Sequence, residues 1–129
     1  MALTDLVSEY LASLPGATRV LGPCQWGVTV DSDQAGGWPL DIGLRVRDGL
    51  LHARAPVAEQ GEQLDPWLFL HWNRQTRLVR FSSTREGEVW IQGDLAVESV
   101  DAPALDRLLG LIVEGALVGR RYATSARDS

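Results

Sequence analysis

The chain has 129 residues, a formal charge of −5, and 12 basic residues that are all arginine. A chain of this length makes one domain and buries enough surface to fold without metals or disulfides. No apolar run is as long as a membrane span, the acidic amphipathic start MALTDLVSEY is not a signal peptide of the usual kind, and an acidic chain without a basic run lacks the long-range field that draws proteins to nucleic acid.

Leu3, Leu6, Val7, Tyr10, Leu11 and Leu14 recur at threes and fours, which predicts a first helix over 4–14, with Thr4 as its cap and Pro15-Gly16 as its stop. Over 18–31, Trp26, Val28 and Val30 alternate with Gln25, Gly27 and Thr29, the period of a half-buried strand. Gly22-Pro23 bends the chain before that strand and leaves 18–21 as a candidate for a separate short one. The single cysteine, Cys24, cannot pair internally, which together with the absence of a leader reads as a cytoplasmic protein. No histidine or cation stands near Cys24 to activate it, so it reads as a small buried filler. The loop DSDQAGG at 31–37 sets Asp31, Asp33 and Gly36 at calcium-loop positions. Ala35 and Ile42 stand where further ligands are needed, so the segment reads as a solvated hairpin loop.

The next strand is clear. Trp38, Leu40, Ile42, Leu44 and Val46 point one way, and Pro39, Asp41, Gly43, Arg45 and Arg47 the other. Asp48-Gly49 suits a two-residue type I′ turn. That turn sets a register with Arg47 opposite Leu50, Val46 opposite Leu51, Leu44 opposite Ala53 and Ile42 opposite Ala55. The second face then carries Arg45, Arg47, His52 and Arg54 with Asp41, and Pro56 ends the ladder or marks an edge. After a polar crossing at 58–63, Asp65-Pro66 starts a helix, with Leu64 and Phe69 placed as a hydrophobic staple. Leu68, Phe69 and Trp72 share one side of it. Trp67, Leu70 and His71 lie elsewhere around it, as in a helix held between layers or at an interface.

Residues 77–95 predict a second hairpin, looped at Arg85-Glu86-Gly87. Val79, Phe81, Val89 and Ile91 face one way, and Leu78 and Trp90 the other. Gly93 weakens the end of the return strand or admits another backbone. Asp101 and Pro103 start a last helix over 102–119, striped by Leu105, Leu108, Leu109, Ile112, Val113, Ala116 and Leu117. Leu111 and Val118 lie beyond the stripe and suit a second subunit. The expected organisation is one domain over 1–119 and a polar, frayed tail, RRYATSARDS, over 120–129.

The resulting order is α-β-β-β-α-β-β-α, an α+β fold with an antiparallel sheet. WLFLHWNRQTRLVRF and EGEVWIQGDLAVESVDAPALDRLLGLIV resemble the YbjN family, bacterial proteins described as sensory-transduction-regulator-like. Asn73, Phe81, Gly87, Val89, Trp90, Asp94, Leu95 and Leu105 carry the likeness, which covers the second half by motif and the first half by strand order. That family is similar in fold to the chaperones of type III secretion systems. The resemblance therefore implies such a fold, a homodimer, a regulatory or stress-related role, and binding of an extended partner segment rather than catalysis.

No constellation of reactive residues opposes that implication. His52 and His71 lie on different elements and, with one cysteine, give no zinc spacing. There is no phosphate-cradling glycine loop and no nucleophile elbow. Asp94, Glu98 and Asp101 read as strand-end and helix-cap residues. No catalytic residue, metal or cofactor is expected. Among the tryptophans, core packing claims Trp26 and Trp38, while Trp67 and Trp90 are left over as interface anchors. Stacking on single-stranded nucleic acid is the sharper alternative for them, and the net charge disfavours it. The candidate partner-binding or dimer-interface residues are Trp67, Leu70, His71, Trp90, Leu111 and Val118. The expected partners are a second copy and an unidentified protein segment, with neither nucleic acid nor membrane. The competing reading is a small-molecule sensor with a Trp-lined pocket between sheet and helices.

Overall fold

Asp48 and Gly49 take φ of 54° and 77°, the left-handed values that a two-residue hairpin turn requires. They join β3 (Leu40–Arg47) to β4 (Leu50–Ala58) in the expected register, with Arg47 opposite Leu50, Val46 opposite Leu51 and Leu44 opposite Ala53. The computed structural model of the chain describes residues 2–59 and 64–128. Around this hairpin stand α1 (Leu3–Ala12), β1 (Ala17–Gly22), β2 (Gln25–Val30), α2 (Pro66–Asn73), β5 (Val79–Ser83), β6 (Val89–Ala96) and α3 (Ala102–Asp128). One antiparallel sheet holds all six strands in the order β1-β2-β3-β4-β6-β5. The second hairpin thus joins through its return strand: β6 pairs with β4, and β5 is left at the edge.

Alternation divides the sheet into two faces. Trp26, Val28, Leu40, Ile42, Leu44, Leu51, Ala53, Ala55, Phe81 and Ile91 are buried beneath the helices. The opposite face carries Asp41, Arg45, Arg47, His52, Arg54, Arg80, Trp90, Gln92 and Asp94, all exposed or half-buried. Asp101 caps α3 by accepting from the Ala104 N–H at 2.8 Å. Leu105, Leu108 and Ile112 of α3 are fully buried on the sheet. Each stabilises the fold by roughly 1.5–3 kcal/mol on burial. Further along α3 the packing stripe is made of small residues. A Cβ on Gly115 would collide with Ile91, and one on Gly119 with Val57. There the helix backbone itself lies on the sheet.

Several expectations are corrected. Residues 17–22 do form a strand, β1, so four strands and not three precede α2. Thr4 lies inside α1, whose N-cap is Ala2 with no side-chain hydrogen bond, and the helix ends at Ala12, three residues before Pro15. Cys24 sits in the β1–β2 turn at φ 58°. Pro56 ends only one ladder. Pairing with β3 stops at Arg54, while β4 continues past Pro56, which lies opposite Trp90 on β6. Residues 60–63 of the expected polar crossing fall outside the described residues.

The largest correction concerns 120–128. This segment continues α3 to Asp128, with Arg120 and Ala123 buried, and is no frayed tail. Arg120 is 4% exposed. Its Nη1 donates to the carbonyls of Ala35 (2.6 Å) and Trp38 (2.7 Å), and its Nη2 to that of Pro39 (3.0 Å). Its guanidinium also lies 4.8 Å from the centre of the Trp38 ring. The loop expected to be solvated is therefore tied to the last helix, with Ala35 buried. Burial holds the Arg120 pKa below its usual value, and nearby Asp41 offsets part of that lowering. Trp38, expected in the core, lies at the surface and covers this arginine.

Candidate partner-binding surface

Asp65 begins α2 as its sequence demands. Its carboxylate accepts from the Trp67 N–H at 3.0 Å, and Pro66 takes the first helical position. This short helix is apolar nearly all round, so it can bury only part of its apolar surface. Phe69 goes inward to a four-ring cluster with Trp72, Phe81 and Tyr122, with ring centres 5.0–5.8 Å apart. Tyr122 comes from the segment expected to be a tail, and its hydroxyl accepts from the Asp65 N–H at 2.8 Å. Trp67, 75% exposed, and Leu70, 55% exposed, face outward with His71.

Asn73 ends the helix and grips the edge of the sheet. Its Oδ1 accepts from the Phe81 N–H at 2.7 Å, and its Nδ2 donates to the Phe81 carbonyl at 3.1 Å. The side-chain amide acts as a one-residue strand beside β5, so this edge is partly closed to further pairing. At the other edge, β1, Val20 and Leu21 are exposed.

Between the α2–β5 connection and α3 lies an open groove of about 520 Å³. Trp72, Val79, Phe81, Leu111 and Val118 form its apolar walls, and Gln75, Thr76, Arg77, Arg107 and Glu114 give it a polar rim. An apolar groove with a polar rim suits an amphipathic or extended protein segment better than it suits bond-breaking chemistry. A second hollow, about 460 Å³, lies between α1 and α3 over β2. No tryptophan lines it. At its side the Tyr10 hydroxyl donates to Asp106 Oδ1 at 3.0 Å. Burial and this carboxylate push the Tyr10 pKa up to about 12.

The six candidate residues fall into three groups. Leu111 and Val118 meet in the groove, where Trp72 joins them. Trp67, Leu70 and His71 share the exposed side of α2. Trp90 belongs to neither set. It lies on the open face of the sheet, half-buried, with the Arg54 guanidinium 5.2 Å from its ring centre. Its Nε1 is buried and has no hydrogen-bond partner among the described residues. The groove also uses Trp72, Val79 and Phe81, which are absent from the candidate set. Among the described residues no three histidine, cysteine or acidic side chains gather as a metal site would need, and no helix is long and apolar enough to cross a membrane.

No family model matches the chain. No curated protein matches it in sequence. Solved structures do match. A chain of the Yersinia pestis type III secretion chaperone SycH, in complex with a stable fragment of YscM2, aligns with a TM-score of 0.64 at 18% identity, over 91% of this chain and 98% of that one. A chain of the HopA1–SchA chaperone–effector complex aligns with a TM-score of 0.71 at 13% identity, over 92% of each. A chain of the ExsC–ExsE complex aligns with a TM-score of 0.66 at 17% identity, over 94% of this chain and 96% of that one. The α+β fold expected from the sequence is therefore present, and it is similar to that of type III secretion chaperones.

Proposed function

We propose that this chain is a non-enzymatic, cytoplasmic binding protein that holds segments of partner proteins, as a chaperone or adaptor does, and that it works as a homodimer. The observation that carries this reading is the open groove walled by Trp72, Val79, Phe81, Leu111 and Val118. A folded chain gains by covering such a surface, and burying it against a partner segment stabilises the complex. The solved chaperone complexes with a similar fold support a protein as the occupant. The outward face of α2, with Trp67 and Leu70, is the surface we assign to self-association, because exposed tryptophan and leucine on a rigid helix make efficient anchors. The YbjN-like pattern from Asn73 to Leu105 supports a regulatory, stress-related setting for this binding.

Sedimentation velocity over a concentration series, combined with titration of an apolar-surface dye, tests the reading. Self-association and dye binding are expected. A monomer that binds no dye would contradict it.

The hollow between α1 and α3 favours a second reading, a small-molecule sensor. In that case a metabolite panel raises the melting temperature, and Val118→Glu leaves the response intact.

A further inference from the structure

The open face of the sheet has the opposite sign to the chain as a whole. Arg19, Arg45, Arg47, Arg54 and Arg80 stand on it or at its margin, within a protein of net charge −5. Most are neutralised locally. Arg19 lies 3.7 Å from Asp41, which also accepts from Thr29 at 2.7 Å. Arg47 lies 3.5 Å from Asp48 in the turn. Asp94 takes both His52 Nδ1 and Arg80, the latter at 3.2 Å. Two arginines have no carboxylate among the described residues. Arg45 makes no contact of this kind, and Arg54 only stacks on Trp90.

These two flank a cleft of about 310 Å³, lined also by Gln25, Gly43, His52, Gln92 and Asp94, whose carboxylate is engaged by His52 and Arg80. Gly43 leaves its floor open, since a Cβ placed there would meet nothing within 4 Å. Arg45 lies opposite His52, and Arg54 opposite Gly43, so the two arginines are diagonal neighbours across β3 and β4. Such neighbours are about 7–8 Å apart. Alternate side chains of an extended peptide project to the same side at nearly this spacing, about 7 Å.

We propose that this face binds an extended acidic protein segment with carboxylates at alternate positions, one on Arg45 and one on Arg54. The surface lies on the opposite side of the sheet from the apolar groove and stands or falls without it. Two observations favour a peptide over nucleic acid. The Trp90 ring, the aromatic surface here on which a base could stack, is occupied by the Arg54 guanidinium. The chain's net negative charge repels a long polyanion at a distance, while a short acidic segment meets the two arginines within a Debye length of about 8 Å.

The test titrates the full chain with a dye-labelled peptide of alternating glutamate and threonine, the same peptide with glutamine for glutamate, and oligothymidylate. Wild type, the double variant Arg45→Ala/Arg54→Ala, Arg45→Glu and Arg121→Ala are compared at low and moderate salt. The glutamate peptide should bind and weaken with salt, the glutamine peptide should not bind, and the double variant should lose affinity by roughly tenfold. Arg121, exposed on α3, should be indifferent. Arg45→Glu removes no contact in the structure and so reports binding even if the double variant folds poorly. Equal affinity in Arg45→Glu or in a folded double variant, equal binding of the glutamine peptide, or tighter binding of oligothymidylate would each overturn the proposal.

Discussion

Asn73 and Phe81 are joined by two hydrogen bonds, from the Phe81 N–H to Asn73 Oδ1 at 2.7 Å and from Asn73 Nδ2 to the Phe81 carbonyl at 3.1 Å. The last residue of α2 is thereby fixed to the middle of β5. Trp72 and Phe81, 5.8 Å apart at their ring centres, then stand together as one wall of the groove. Removing the amide frees both main-chain groups of Phe81 and lets that wall open. Asn73→Ala should cost about 1–3 kcal/mol in urea unfolding, and Asn73→Asp, whose second oxygen would face the Phe81 carbonyl, should not restore it.

Arg120 makes a second long-range tie. It holds the 31–39 loop through three carbonyls, and its guanidinium fork matches them in a way that an ammonium cannot. Arg120→Lys should therefore lose about 1–3 kcal/mol. Hydrogen exchange should quicken at Gln34, Ala35 and Gly37, whose N–H groups bond within the loop.

The glycines of α3 divide by what faces them. A Cβ on Gly110 would meet nothing within 4 Å, whereas one on Gly119 would strike Val57 and approach Phe81 and Phe69 at 3.4 and 3.6 Å. Gly110→Ala should stabilise by about 0.5–1 kcal/mol through helix propensity. Gly119→Ala should destabilise by about 1–3 kcal/mol through overpacking. Thermal melts of the two variants should move in opposite directions.

Tyr10 links α1 to α3 through Asp106 at 3.0 Å. Its folded-state pKa, about 12, is above the ordinary 10.0, so the folded chain holds this proton more tightly than the unfolded one. The resulting stability is complete below about pH 10 and is lost as pH rises through about 12. Unfolding free energy should fall across that window in the wild type and fall less in Tyr10→Phe.

Local patterns carried much of this fold. The Asp48-Gly49 turn and its register could be read residue by residue, because a two-residue turn fixes pairing and alternation fixes the faces. The start of α2 at Asp65-Pro66 was equally legible. The end of α3 was not. Large apolar side chains at helical spacing mark a packing face, whereas Gly115, Gly119 and Ala123 pack because they are small. Arg120 is buried by carbonyls more than eighty residues away, and no local pattern encodes that. Alternation puts Trp38 inside, but β3 begins only at Leu40, so the strand period does not extend to it. The candidate site was legible in part. Leu111 and Val118 stood out as apolar residues beyond the helix stripe, and they do share a groove. That Trp72, Val79 and Phe81 would line it depends on how α2 docks, through contacts made across the fold.

A groove that takes a protein segment must lose affinity for it when Val118, on its wall, becomes charged. Peptides selected from a displayed library on the wild-type chain, then titrated by calorimetry against wild type, Val118→Glu and Trp67→Ala, test it most directly. Val118→Glu should weaken the selected peptides by roughly tenfold or more. Its melting temperature should stay near that of the wild type, because Val118 is 41% exposed, and Trp67→Ala should change peptide affinity little. Undiminished binding to a folded Val118→Glu variant would contradict it.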